Sequence, residues 1–213
     1  MDIAWIGHSA FRLRGRDAAV VTDPCPSSTG FRLNRPRAEI VTISNTASEY
    51  SWVKGVGGKP IHLNAPGEYE IKNVLVTGVR TLLPPRKRAE GYNVAFVITI
   101  DEIVVAHLGD LGALPLPDQV EELSQADVAL VPVGGNGHLD AAAAAQIVGT
   151  LEPKLVIPML YKAGSESERL DKIEPFLKEM GAQMPKSIDN HVNITTSGLP
   201  EHTTVQVLAP RGD

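Results

Sequence analysis

Trp5-Ile6-Gly7-His8-Ser9-Ala10-Phe11, with Thr22-Asp23-Pro24 further along, is the stretch on which the fold turns. Ile3 to Ile6, Ala10 to Leu13 and Ala18 to Thr22 are short apolar runs, and Arg14-Gly15-Arg16-Asp17 separates the last two. Such runs, bounded by glycine and charged turn residues, predict strands and a hairpin. The next strand, Glu39 to Ile43, opens into Ser44-Asn45-Thr46-Ala47-Ser48-Glu49, where Ser48 is placed to cap a short helix through Trp52 and Val53.

Working outward, strand-like runs follow at Pro60 to Leu63, Val74 to Val79, Val94 to Ile100 and Ile103 to Ala106, with Asp101-Glu102 as a tight turn. Consecutive runs this close predict a largely antiparallel middle. After Gly109 the pattern changes to alternating elements: a helix near Pro117 to Ser124, a strand Val128 to Val133, a helix Asp140 to Leu151, a strand Leu155 to Met159 and a helix Glu166 to Met180. These are βα units. The end returns to strands at Val192 to Thr195 and Thr204 to Leu208. The expectation is one α+β domain over residues 1–213, a sandwich of two sheets with helices on both outer faces.

A chain of 213 residues with 43% hydrophobic and 21% charged residues can bury a core without metals or disulfides. The formal net charge of −5 supplies no global positive field, so nucleic acid is not an expected partner. The lone Cys25 cannot form an internal disulfide, and Met1-Asp2-Ile3-Ala4-Trp5 is unlike a signal peptide. A cytoplasmic protein without a membrane span is the expectation. Partners reduce to a small molecule or another protein, with self-association left open. The alanine run Ala141 to Ala145 permits close helix packing but identifies no interface. Pro84-Pro85-Arg86-Lys87-Arg88 reads as a solvated surface loop.

The opening residues resemble those of the metallo-β-lactamase superfamily, and more narrowly a branch of small bacterial metal-dependent hydrolases that includes ascorbate-phosphate lactonase. Pro66-Gly67-Glu68-Tyr69-Glu70, His107-Leu108-Gly109-Asp110, Leu130-Val131-Pro132-Val133-Gly134-Gly135 and Ile157-Pro158 extend the likeness over nearly the whole chain. The resemblance implies a four-layer αββα sandwich. It also implies two zinc ions held by an H-x-H-x-D-H loop and three later ligands, with a bridging water as nucleophile.

Carried onto this chain, that loop becomes Asn45, Ala47, Glu49 and Tyr50. The later ligands become Leu83, Asp110 and Leu160. Seven positions then hold one unchanged ligand, Asp110, and one conservative change, Glu49. Alanine and leucine have no lone pair to give, and a structural zinc site draws roughly 10 kcal/mol or more from its full donor set. The expectation is therefore no cofactor, zinc being implied by resemblance alone.

His8, Asp23, Glu68, His107, Asp110 and His138 remain as polar residues of a vestigial pocket. Two readings follow. In one the chain is a non-catalytic relative kept for binding or regulation, its polar residues closing loops by hydrogen bonds. In the other it is a divergent hydrolase with a relocated metal site of His8, His107 and Asp110, with Glu49 as a further donor. Cys25 reads as a buried turn residue rather than a nucleophile. His138 reads as a residue of the pocket entrance or of the solvated surface. His62, His191 and His202 have no neighbour that assigns them a role.

Overall fold

The structure, a computed structural model, describes residues 1–84, 91–164 and 169–211. The charged loop at 86–88 therefore lies outside the described residues, as does the start of the helix expected from Glu166. In chain order the strands are β1 (Asp2–Gly7), β2 (Ala10–Arg14), β3 (Ala19–Thr22), β4 (Ile40–Thr42), β5 (Ile61–Leu63), β6 (Gly67–Ile71) and β7 (Val74–Thr81). They continue as β8 (Asn93–Ile100), β9 (Ile103–His107), β10 (Val128–Pro132), β11 (Leu155–Met159), β12 (His191–Asn193) and β13 (Thr204–Val205). The α-helices are α1 (Pro117–Leu123), α2 (Ala141–Leu151) and α3 (Glu174–Glu179).

Two mixed sheets result. One runs β12-β1-β2-β3-β4-β5 and the other β13-β11-β10-β9-β8-β7-β6. Hairpins make β6 through β9 antiparallel, whereas α1 and α2 lie between β9, β10 and β11, which pair in parallel. Ile3, Trp5, Phe11, Leu13, Val20 and Ile40 of the first sheet share one apolar core with Val76, Phe96, Ile98 and Val105 of the second. Period-two alternation on β2 sends Phe11 and Leu13 into that core and leaves Arg12 and Arg14 on the outer face.

The outer layers differ. Asp140 caps α2 by accepting a 2.8 Å hydrogen bond from the Ala143 N–H, and Ala144, Ile147, Val148 and Leu151 bury its inner face. No α-helix covers the first sheet among the described residues. Irregular chain does: Cys25, Phe31, Leu33, Ala38 and Val56 pack on Ile6, Ala10, Ala19, Val21 and Val41. Pro24, Pro26 and Pro36 leave at most the nine residues between the last two for a helix, and a 3-10 turn at Ser27–Thr29 is what forms.

The short helix expected after Ser48 is likewise only a 3-10 turn at Val53–Gly55, with the Ser51 hydroxyl donating back to the Ala47 carbonyl. Of the helix expected over 166–180, the described residues 169–180 form only α3. Pro175 near its start has no N–H to donate and would clash with a preceding helical turn. β6, which the reading of the sequence did not mark as a strand, forms the polar edge of the second sheet.

Candidate functional site

β3, β4 and β9 end, and the antiparallel β8 begins, near one edge of the sandwich, where the flanking turns carry the polar residues. Asp23 follows β3 with φ 37°, and its carboxylate accepts from the Ser44 N–H at 2.7 Å and the Ser44 hydroxyl at 2.6 Å. His107 at the end of β9 donates from Nε2 to the Ser9 carbonyl at 2.9 Å, and the same nitrogen lies 3.8 Å from Asp23 Oδ2. The other ring nitrogen, Nδ1, is buried without a hydrogen-bond partner. Burial raises Asp23 to about 7 and lowers His107 to about 4. Near neutral pH the imidazole is thus held neutral beside a carboxyl that takes up its proton as pH falls below about 7.

Asp110 lies one turn further on. Its Oδ2 accepts from Asn45 Nδ2 at 2.9 Å, and its Oδ1 takes His138 Nδ1 at 2.6 Å. Its backbone N–H donates to Asn93 Oδ1 at 2.9 Å, while Asn93 Nδ2 donates to Thr81 Oγ1 and to the Leu108 carbonyl. Gly109 makes this turn with φ 61°, and an added Cβ would sit 2.6 Å from Ser44 Oγ and 2.7 Å from Asn93 Oδ1. The Asn45 carbonyl oxygen accepts the Ala47 N–H at 2.9 Å. Asn45 thus ties its own turn to Asp110 through one side chain.

His8, at φ 55°, accepts from Trp5 Nε1 and from the Leu160 N–H through its carbonyl oxygen. Its ring meets the fully buried Tyr50 ring edge-on at a centroid separation of 4.9 Å. Leu160, also left-handed at φ 52°, presses its carbonyl against Gly134, where a Cβ would collide with it. Leu83 is buried beside Gly112, two residues past Asp110. The Gly134–His138 loop thus runs from Leu160 to Asp110. Of the matched positions, Asn45 meets Asp110, Tyr50 meets the His8 ring, and the Leu160 N–H donates to the His8 carbonyl.

Three expectations need correction. Glu68 is exposed on β6 and makes no hydrogen bond or ion pair with a described residue, since its strand is the sheet edge. Glu49 accepts only from its neighbour Ser48, at 3.1 Å, and does not reach Asp110. His138 is neither solvated nor at the entrance; it is buried against Asp110 because two left-handed glycines, Gly135 and Gly137, turn its loop inward. Asn93 was missed altogether. The one available signal was a polar residue heading the apolar run of β8. Cys25 is buried, and desolvation pushes its thiol up to about 11, which fits the turn residue expected.

The donor set does not suit a zinc ion. Among the described residues no group of three His, Cys, Asp or Glu side chains is placed to hold a metal, so His8, His107 and Asp110 do not form a shared ligand set. His107 Nε2 is engaged by a carbonyl, and both Asp110 oxygens are engaged by side chains.

Two mixed sheets, helices on the outside and a loop cluster at one edge define a metallo-β-lactamase-fold protein. Residues 2–160 match the beta-lactamase superfamily domain, and the chain belongs to that family. Among solved structures it is similar to a candidate Zn-dependent hydrolase of the metallo-β-lactamase superfamily from Thermotoga maritima, at 31% identity and TM-score 0.80, with 98% of each chain covered. It also shares its fold with a metallo hydrolase of Ignicoccus hospitalis, at 18% identity and TM-score 0.65, over 100% of this chain and 96% of that one. A UPF0173 protein of Pyrococcus furiosus is 26% identical over 84% of this chain and 90% of its own. A UPF0173 metal-dependent hydrolase of Methanoculleus marisnigri is 27% identical over 76% and 81%.

Proposed function

We propose that this member of a metal-dependent hydrolase family no longer carries out zinc-dependent hydrolysis and is kept as a binding or regulatory protein. The observation that carries the reading is the state of Asp110. It is the one unchanged donor, and Asn45 and His138 take both its carboxylate oxygens. Alanine, leucine and a buried tyrosine at the neighbouring positions offer zinc little to bind at neutral pH. A single domain, a cytoplasmic location and an unidentified small-molecule or protein partner belong to the same proposal. The continuous core supports the first and the lone reduced Cys25 the second.

The test pairs a chelator melt with hydrolysis assays on lactone, phosphodiester and β-lactam chromogens. A metal bound only to the native state stabilises it by several kcal/mol, roughly 4 at a thousandfold excess over Kd. We expect an unchanged melting temperature and no turnover. A chelator-sensitive melt together with turnover would overturn the proposal.

One contact favours a second reading. The 2.6 Å Asp110–His138 pair fixes an imidazole tautomer, as a metal-independent general base requires. Chelator-resistant hydrolysis abolished in His138→Gln would select it over the first.

A further inference from the structure

On the outer face of the first sheet the strand register gathers charge away from the Asp110 edge. Arg14 pairs with Asp2 and Arg12 with Ala4, while Asn193 and His191 of β12 pair with the same two residues of β1. Arg211 joins them from the far end of the chain, its N–H donating to the Trp5 carbonyl at 2.7 Å. The irregular layer stops short here and leaves two cavities that share Arg12 and Arg211. One, of about 540 Å³, also takes Arg14 and His191; the other, of about 370 Å³, takes Arg37, Ile6, Leu33 and Pro36.

Arg16 is neutralised by Asp101, its Nε 3.5 Å from the carboxylate. No such partner exists for Arg12, Arg14, Arg37 or Arg211 among the described residues, and Arg12 Nε is buried without a hydrogen bond. Asp2 is the one acid lining the shared space that is not already engaged. Burial and the charges of Arg14 and Arg211 pull the Arg12 guanidinium down from its ordinary value, outweighing the upward pull of Asp2 and Glu39. Like charges that outnumber their counter-charges weaken a fold, and a fold relieved of function would shed them.

We propose that this arginine face is a binding site for an organic diphosphate. The anionic group would bridge Arg12 and Arg211, and the organic part would lie on Ile6, Leu33 and Pro36. The guanidinium fork matches phosphate oxygens two at a time, and several forks suit a diphosphate better than a lone carboxylate. Each cavity falls in the size range of small-molecule sites. The site is independent of the metal question and stands or falls separately from it.

Calorimetric titration with inorganic pyrophosphate, ADP, AMP and adenosine, at near-physiological salt, tests the assignment. We expect ADP to bind more tightly than pyrophosphate, AMP more weakly than ADP, and adenosine not at all. Arg12→Gln and Arg211→Gln should each weaken pyrophosphate at least tenfold, and Arg12→Lys should restore part of the loss because it returns the charge without the fork. Should Arg12→Gln fail the near-ultraviolet dichroism check for folding, Arg14→Gln and Arg211→Gln carry the same comparison. Pyrophosphate binding no tighter than sulfate at equal ionic strength would overturn the proposal. So would binding indifferent to these substitutions, or an oligoglutamate peptide outcompeting ADP, which would make the face a docking surface for acidic polypeptide.

Discussion

The Asp110 edge and the arginine face handle charge in opposite ways. At the edge each acid is answered: Asp110 by Asn45 and His138, Asp23 by Ser44, with His107 held neutral beside it. On the sheet face four guanidiniums form no close ion pair among the described residues, with Asp2 and Glu39 the acids acting on Arg12, although the chain as a whole is acidic. At the edge the acids are answered even though His107 Nδ1 is not, whereas a cluster of like charges bears a cost that an anionic ligand would relieve. That contrast is the ground on which the two proposals rest: a structural role for the Asp110 edge and recognition on the outer face.

The largest expected effect breaks the edge. Asp110→Ala strands the amide of Asn45 and the imidazole of His138 in a buried place, and denaturant unfolding should show a loss of about 4 kcal/mol. An unchanged or higher stability would mean that the edge is strained for function after all.

Next comes the buried pair of Asp23 and His107. Asp23 is raised from 3.8 to about 7, so its stabilising share is full below pH 3.8 and is lost as pH rises through 7. His107 is lowered from 6.5 to about 4, so its share is present above pH 6.5 and is lost as pH falls through 4. Between those limits the two slopes oppose, since folding moves one proton from histidine to aspartate and leaves the number bound nearly unchanged. His107→Gln removes one slope, and unfolding free energy should then fall between pH 4.5 and 7 by on the order of 3 kcal/mol. Asp23→Asn should reverse the sign, losing stability toward acid. Two variants with the same pH profile as the parent would sink this assignment.

Gly109→Ala drives a methyl group onto Ser44 and Asn93 at a left-handed residue, and should cost about 2 kcal/mol by thermal melt. The smallest effect lies on the other face. Arg12→Gln removes like-charge repulsion, so stability should hold or rise by about 0.5 kcal/mol, and salt should stabilise the variant less than the parent. A marked loss would show that Arg12 is there for packing.

The strands were legible because apolar runs ended at turn residues, and the βα half because helical and strand periods alternate after Gly109. Of the matched positions, Leu83 lies beside Gly112 and Leu160 against Gly134, places to which the strand ends before them lead. What covers the first sheet was not legible: prolines at 24, 26 and 36 leave little room for a helix, but do not say that coil can pack in its place. His138 was misread because a loop histidine's direction depends on the φ of Gly135 and Gly137, which no spacing reveals. The arginine face was invisible because β2 alternation shows which way Arg12 points but not that Arg211, almost two hundred residues away, comes back to meet it.

The most direct measurement is zinc per chain after dialysis against excess zinc and removal of free metal, read by inductively coupled plasma mass spectrometry on the parent and on Asp110→Ala. We expect well under one zinc per chain in both, with no difference between them, because Asn45 and His138 already take the one remaining family donor. Near one zinc per chain in the parent, lost in Asp110→Ala, would contradict that.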